Sequence, residues 1–368
     1  MRKQIICALV AISSMTTTVD SYAIKPSDLK YTNADTLPLI GTLAPDAKKL
    51  YSRLPDSLEN VIRKEVWNLG QNSAGLAVRF RSDASSIGAE WKSVKKFRMN
   101  HMTATGIRGL DLYVYDNGEW TTLGSARPSL LDNHNSAVIM TDMKPEMREY
   151  MLYLSLYDGV DSLRIGVDSA AVVLQPELNS PQLEQPIIMY GTSIMQGGCA
   201  TRPGMCHSSI IERKLNRQVI NLGFSGNAKL DIEIAQLIAS VKDPGVIVID
   251  PLPNLKTPEL IERMPAFYKT IRDSHPQVPI LLVESPIFPL MRFNQETLAT
   301  VTEKNKALRS FYDELIKSGD KYVSYFEGEK ILGDCVDGTI DNYHMTDLGF
   351  THFANSLAPV LKQMLMQR

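Results

Sequence analysis

The sequence predicts an all-β sandwich followed by an α/β domain built on a doubly wound parallel sheet. Three observations predict this order. Apolar residues recur with a period of two from Lys25 to about Pro181. A stretch rich in proline and polar residues, Gln175 to Pro186, then interrupts the pattern. Beyond it, short apolar runs alternate with amphipathic helical segments as far as the C-terminus. The length of 368 residues fits about two domains, each with room for its own core.

In the first half, Leu76 to Arg81 ends in apolar–polar alternation. Gly109 to Tyr115 alternates cleanly, with Leu110, Leu112 and Val114 on one face. Asp116-Asn117-Gly118 reads as a tight hairpin turn, and Trp120 to Leu123 starts the return strand. Met151 to Tyr157 is a further strand, broken by Asp158-Gly159, and Ser162 to Val167 follows it. Many short strands separated by turn signals argue for a sandwich. Ser57 to Val66 fits a strand or a short helix equally well.

In the second half, Ile187 to Tyr190, Val219 to Leu222, Val246 to Ile249, Ile280 to Val283 and Tyr322 to Phe326 read as strands. Val246-Ile247-Val248-Ile249 is apolar throughout, as a strand covered on both faces should be. Helices are expected over Met205 to Leu215, around Leu230, Ile234, Leu237 and Ile238, over Pro258 to Ser274, Gln295 to Lys317 and Leu348 to Met366. Five strands joined by crossover helices imply a parallel sheet. The domain limits on this reading are 24–180 for the sandwich and 186–368 for the α/β part.

Lys plus Arg is 39 against 41 Asp plus Glu, so the formal net charge is only −2. Such a balance gives no reason to expect nucleic acid or an anionic membrane as partner. Residues 1–23 have the form of a cleavable export signal. Arg2 and Lys3 supply the basic start, Ile5 to Ile12 the short apolar core, and Ser21-Tyr22-Ala23 a small-x-small cleavage site. A periplasmic or secreted protein is expected, without membrane insertion. Three cysteines then remain, Cys199, Cys206 and Cys335. An oxidising compartment permits a bridge between Cys199 and Cys206 across the intervening loop, and the sequence leaves this open. A zinc site is not expected, because neither a second cysteine pair nor a close histidine pair completes four ligands.

The chemistry gathers at the predicted strand ends. Ile187 to Tyr190 stops at Gly191, and Thr192-Ser193 follows, so Ser193 stands just beyond a strand's carboxyl end, where open α/β sheets bind ligands. A serine there is also a favoured helix cap. Asp341-Asn342-Tyr343-His344 places a carboxylate three residues before an imidazole, in a loop ahead of the last helix. At that spacing the acid can orient one ring nitrogen while the other faces Ser193. Asn221 to Asn227 follows the second strand with glycines at 223 and 226, and Asp250 to Asn254 follows the third, ending in a side-chain amide. Both offer donors for a developing oxyanion. Of the other histidines, His207 fits a helix surface or the crevice, and His352 a structural place in the closing helix. His101, His134 and His275 stand in no motif.

With these residues in place, 186–368 resembles the SGNH (GDSL-like) hydrolase family, whose four sequence blocks carry Ser, Gly, Asn and His. Gly191-Thr192-Ser193 is similar to the first block, Asn221 to Gly226 to the second, Pro253-Asn254 to the third and Asp341 to His344 to the fourth. The resemblance implies a flavodoxin-like sheet. It implies Ser193 as nucleophile, His344 as base and Asp341 as its orienter. Gly226 N–H, Asn254 and Ser193 N–H become oxyanion donors, with Gly223 as the alternative glycine. Thr192 replaces the family's common aspartate, and the third block lacks the common Gly-x-Asn-Asp form. Gly109-Leu110-Asp111-Leu112-Tyr113 resembles the Gly-x-Asp-Leu-Tyr signature of the jelly-roll-like sandwich that precedes a subgroup of these enzymes.

The implied function is an exported, cofactor-independent serine esterase that removes acyl groups, acetyl first among them, from a polysaccharide or oligosaccharide. A lipid or thioester hydrolase, an acyltransferase and a non-catalytic glycan-binding protein are the alternatives. Tyr113, Tyr115 and Trp120 are candidate sugar-stacking residues in the sandwich, although aromatic residues are common in strands for packing alone.

Overall fold

A computed structural model describes residues 23–45 and 47–367. The export signal read at residues 1–23 lies, apart from Ala23, outside them. Ten strands build the N-terminal part: β1 Lys30–Asn33, β2 Leu39–Ile40, β3 Ala77–Ser82, β4 Ile87–Ser93, β5 Leu110–Asp116, β6 Glu119–Ala126, β7 His134–Met140, β8 Arg148–Tyr153, β9 Val160–Val167 and β10 Val173–Leu174. They form two antiparallel sheets. One has the order β1-β9-β4-β7, and the other runs β10-β3-β8-β5-β6 with β2 paired to β3. The expected sandwich is therefore present. Its interior is filled by Val78, Phe80, Leu110, Leu112, Val114 and Leu152 from one sheet, and by Ile87, Ala89, Trp91, Leu163 and Ile165 from the other.

Several local readings need correction. The strand expected over Met151 to Tyr157 ends at Tyr153, and Leu154 to Gly159 leaves the sheet as a loop. Ser57 to Val66 resolves into a 3-10 turn at Asp56–Leu58 and the start of helix α1, Lys64–Gly70. Strands β4 and β7 and the short helix α2, Ala104–Arg108, had no clear sequence signal. Tyr113 and Trp120 are buried at 3% and 7% exposure, which removes them as sugar platforms. Arg213 lies over the Tyr113 ring and Arg79 over Trp120, whose Nε1 donates to Ser180 Oγ at 3.0 Å. Tyr115, partly buried, packs edge-on against Trp120.

The C-terminal part holds strands β11 Gln182–Gly191, β12 Arg217–Gly223, β13 Val246–Asp250, β14 Ile280–Val283 and β15 Val323–Phe326. All pairs are parallel, in the order β12-β11-β13-β14-β15. Its helices are α3 Ser193–Gln196, α4 His207–Leu215, α5 Ile232–Ala239, α6 Thr257–Ser274, α7 Gln295–Lys317, α8 Glu329–Leu332 and α9 Asp347–Met366. Successive strand residues point to opposite faces, and each face has its own core. Ile187, Met189, Val246 and Val248 pack with residues of α4 and α9. Ile188, Tyr190, Ile247 and Ile249 pack with α5, α6 and Leu308 of α7. Burial on both sides explains why these strands read as unbroken apolar runs. Leu230, expected within a helix, precedes α5 in a left-handed conformation (φ 59°). No helix among the described residues is long and apolar enough to cross a membrane.

Much of the outer face of the six-stranded sheet, including Ala77, Tyr113, Met151 and Tyr153, is buried. Tyr153 OH donates to Glu212 of α4 at 2.6 Å, and Val219 N–H donates to the same carboxyl at 3.0 Å. Burial pushes Glu212 from its ordinary 4.5 up to about 7. The folded protein thus holds a proton there that the unfolded chain releases, so this group lowers stability as pH rises from 4.5 to 7. The effect is on the order of 3 kcal/mol. Glu212→Gln keeps the shape and removes the titration. Urea unfolding at pH 5 and pH 8 is expected to show a smaller pH difference in the variant than in wild type. An equal difference in both would place the titration elsewhere.

Candidate active site

The crevice lies at the carboxyl ends of β11, β12 and β13. Gly191 ends β11, and the chain turns at once into α3. Thr192 is the N-cap, its Oγ1 accepting from Ile194 N–H at 3.3 Å. Threonine thus does the local bonding at a position where the family commonly has aspartate. Ser193 is the first helical residue, not the cap, so its hydroxyl is not spent on the helix. Its N–H is one of the orphan donors of the helix start.

Ser193 Oγ lies 2.9 Å from His344 Nε2. His344 Nδ1 lies 2.7 Å from Asp341 Oδ2, and the backbone N–H of His344 donates to Asp341 Oδ1 at 2.7 Å. Tyr343 N–H donates to the same oxygen at 3.1 Å, so the acid is fixed by its own turn. Burial pushes the Asp341 carboxyl up, but the hydrogen bonds from His344 and Tyr343 outweigh it and hold it below the ordinary value. Ser193 is 4% exposed, at the floor of the crevice. The geometry is that of an acid, an imidazole and a hydroxyl in series, with the proton path open from Oγ to Nε2.

The two glycines after β12 differ in a way the sequence did not show. Gly223 N–H is already bonded to Asn221 Oδ1 at 2.9 Å. A Cβ on Gly223 would come within 2.2 Å of Gln196 N, so this glycine is there for close packing. Gly226 adopts φ 69°, is exposed, and its N–H has no protein acceptor among the described residues. Asn254 ends a 3-10 turn after β13, its Oδ1 accepting from Ala228 N–H at 3.2 Å. That bond fixes the amide and leaves Nδ2 as a donor. Gln196, wholly buried, ties the turns together: Oε1 accepts from Ser225 N–H at 3.0 Å, and Nε2 donates to Leu156 O at 3.1 Å.

Several residues at the site carried no sequence signal. Arg53, from the N-terminal part, donates to Asn221 O and Gly223 O under the second strand's end. Tyr157 OH donates to Ser193 O at 3.2 Å. His101 stacks obliquely against His344, with ring centroids 5.8 Å apart. Asp111 of the Gly-Leu-Asp-Leu-Tyr stretch is fully buried and accepts from Arg202 Nη1 at 2.6 Å and Gly204 N–H at 2.9 Å. The sandwich signature therefore grips the loop that follows α3. No local pattern announces such contacts, because both partners are distant in sequence.

Other expectations fall away. His207 is neither on the surface nor in the crevice. It is fully buried between Phe350 and Phe353, and burial lowers its pKa to about 3. His352 and His134 are exposed, and His275 caps the end of α6. The Cys199–Cys206 bridge is not formed, and the cysteines among the described residues, Cys199, Cys206 and Cys335, are free thiols. Cys206 Sγ points instead to Met195 O and Ser208 Oγ, at 3.4 and 3.3 Å.

Comparison with known proteins agrees with this architecture. The GDSL-like lipase/acylhydrolase family model matches residues 184–362, and the model for the N-terminus of SGNH-hydrolase-type esterases, GxDLY, matches 29–173. A comparison with curated proteins gives no match. Among solved structures, a candidate GDSL-like lipase from Bacteroides ovatus ATCC 8483 is 31% identical. The alignment covers 92% of this chain and 98% of that one, with a TM-score of 0.86. A salicylyl-acyltransferase from a tetracycline biosynthetic pathway is 19% identical over 90% and 96% of the two chains, with a TM-score of 0.71. A family two carbohydrate esterase from Cellvibrio japonicus is 16% identical over 92% and 98%, with a TM-score of 0.57. At such identities the last two share the fold and no more. Through its two family matches and its Bacteroides relative, the chain belongs to the GDSL-like lipase/acylhydrolase family of SGNH-type carboxylic ester hydrolases, with a GxDLY domain at its N-terminus.

Proposed function

We propose that this ester hydrolase removes acetyl or similarly short acyl groups from a polysaccharide or oligosaccharide, by way of an acyl-enzyme on Ser193. The observation that carries the reading is the series Asp341–His344–Ser193, at 2.7 and 2.9 Å. Ser193 Oγ attacks the ester carbonyl while His344 Nε2 accepts its proton. Charge develops on the carbonyl oxygen and is met by the N–H groups of Ser193 and Gly226 and by Asn254 Nδ2. The tetrahedral intermediate then collapses, and His344 gives its proton to the departing sugar hydroxyl. Water, deprotonated by the same imidazole, attacks the acyl-enzyme and releases the carboxylate. No cofactor takes part in these steps.

Two features support a short acyl group on a glycan. The backbone beside Ser193 is tightly packed: a Cβ on Gly198 would meet Tyr157 OH at 2.7 Å and His344 Cδ2 at 3.2 Å. There is little space on that side for a long chain. A carbohydrate esterase also shares the two-part fold. The export signal read at residues 1–23 would take the enzyme to substrates outside the cytoplasm.

The test uses protein recovered from the periplasm or medium, with its N-terminus at Ile24. Acetyl and octanoyl esters of one alcohol are compared, and released acetate is scored across acetylated polysaccharides. Acetyl preference and acetate release from at least one glycan are expected. A strong octanoyl preference would overturn the short-acyl reading and favour a lipid or thioester substrate. Glycan binding without turnover would make the protein a lapsed enzyme.

A further inference from the structure

We propose that His101, Cys199 and His344 form a binding site for a zinc-like divalent ion, and that occupancy switches the esterase off. The three side chains come from distant parts of the chain. His101 belongs to the loop before α2, Cys199 to the loop after α3, and His344 to the turn before α9. One ligand atom from each lies within 4.8 Å of the other two. Two imidazoles and a thiolate are a donor set that suits zinc, and three protein ligands with a fourth position open are its usual arrangement outside purely structural sites.

The surroundings also suit a metal. Metal-bound imidazoles normally have the other ring nitrogen held by an oxygen, which fixes the ring. Here His344 Nδ1 is held by Asp341 Oδ2 at 2.7 Å, and His101 Nδ1 meets Asn100 Oδ1 at 3.0 Å. His101 Nε2 is left for an incoming ion, and His344 Nε2 would exchange its contact with Ser193 Oγ, 2.9 Å away, for the metal. Zinc needs ligand distances of about 2.0–2.3 Å. The three atoms must therefore close in by roughly an ångström, and partly buried His101 can do so by side-chain rotation. Cys199 is held in the left-handed region, φ 75°, beside the catalytic crevice. An ion bound there would take the place of the thiol proton.

Inhibition follows from the lone pair. His344 Nε2 accepts the proton of Ser193 Oγ in the proposed mechanism, and a metal on Nε2 takes that lone pair. The inhibitory consequence rests on the proposed role of His344, whereas binding of the ion does not. Cys199→Ser leaves the Asp341–His344–Ser193 series in place and should hydrolyse a small acetyl ester nearly as wild type does, whereas zinc inhibition of His101→Ala is read against that variant's own zinc-free rate.

The experiment has two independent readouts on chelator-treated full-length mature protein. Cadmium is the spectroscopic probe, read as ultraviolet thiolate-to-metal charge-transfer absorption. Zinc is the inhibitor, read as the concentration that halves acetyl ester hydrolysis. Wild type and Ser193→Ala are expected to show the cadmium band. Cys199→Ser should lack it, although Cys206 and Cys335 remain. Zinc should inhibit wild type, and each ligand variant should need at least about 10- to 100-fold more. Equal inhibition of all three proteins, or no Cys199-dependent band, overturns the site. If wild type hydrolyses no ester while the band is present, the function reading fails and the metal site stands. Thermal melts of both variants guard against loss of fold.

Discussion

Ser193→Ala is expected to lower kcat for a small acetyl ester by roughly 10⁴- to 10⁶-fold, with an unchanged melting temperature. The size of the effect comes from the residue's place in the series. In the proposed acylation step His344 Nε2 takes its proton from Ser193 Oγ, and without that hydroxyl no acyl-enzyme forms. What survives is the oxyanion site acting on direct attack by water. The fold is indifferent to the change, because the hydroxyl neither caps α3 nor bonds to a neighbouring strand. Asn254→Ala provides the scale. It leaves the nucleophile and removes one donor to the intermediate, for an expected loss of about 100- to 1,000-fold in kcat. The two losses together should fall well short of their product, since the residues act on one transition state. A Ser193→Ala protein as fast as wild type would remove Ser193 as nucleophile.

That expectation was accessible from sequence because its parts are local. Asp341 and His344 are three residues apart, and Gly191-Thr192-Ser193 directly follows an apolar strand. The parallel sheet was legible for a related reason. Its strands are buried on both faces, so Val246 to Ile249 is apolar without interruption. The sandwich was half legible. Leu110, Leu112 and Val114 announced the inner face of β5, but Asp111 and Tyr113 looked like its wet face. Their burial depends on the α/β part docking there, which no periodicity encodes. Strands β4 and β7 stayed hidden because Gly88, Glu90, Lys92, Asn135 and Ser136 dilute their apolar signal, and a bulge at Ile87/Gly88 shifts the register. His101 and Arg53 were invisible for the same reason as Asp111, their partners lying far along the chain.

Arg53 gives the second large effect. Its guanidinium is 1% exposed, and none of its hydrogen bonds goes to a carboxylate. Four backbone carbonyls surround it instead. Nε donates to Asn72 O at 2.9 Å, Nη2 to Leu69 O at 2.7 Å, and Nη1 to Asn221 O at 3.2 Å and Gly223 O at 2.7 Å. The Phe224 ring lies 5.1 Å from its central carbon. Two of these acceptors belong to the N-terminal part and two to the end of β12, just before the turn that carries Gly226. One planar fork thus joins both parts of the molecule at the oxyanion side of the crevice. Arg53→Met fills similar volume but removes a donor from four buried carbonyls; Leu69 O keeps the Asn72 N–H at 3.0 Å, and each carbonyl left bare costs about 1–3 kcal/mol before relaxation. A net loss of roughly 4 kcal/mol is expected, or a melting temperature lower by about 10 °C. Arg53→Lys should recover only part of it, because an ammonium cannot span four carbonyls laid out for a fork. In protein still folded at the assay temperature, kcat should fall more than KM rises, since the Gly226 turn loses its brace while the ester-binding groups remain. A melting temperature within about 2 °C of wild type for Arg53→Met would mean that water satisfies those carbonyls, and that the remaining contacts between the two parts hold them together without Arg53.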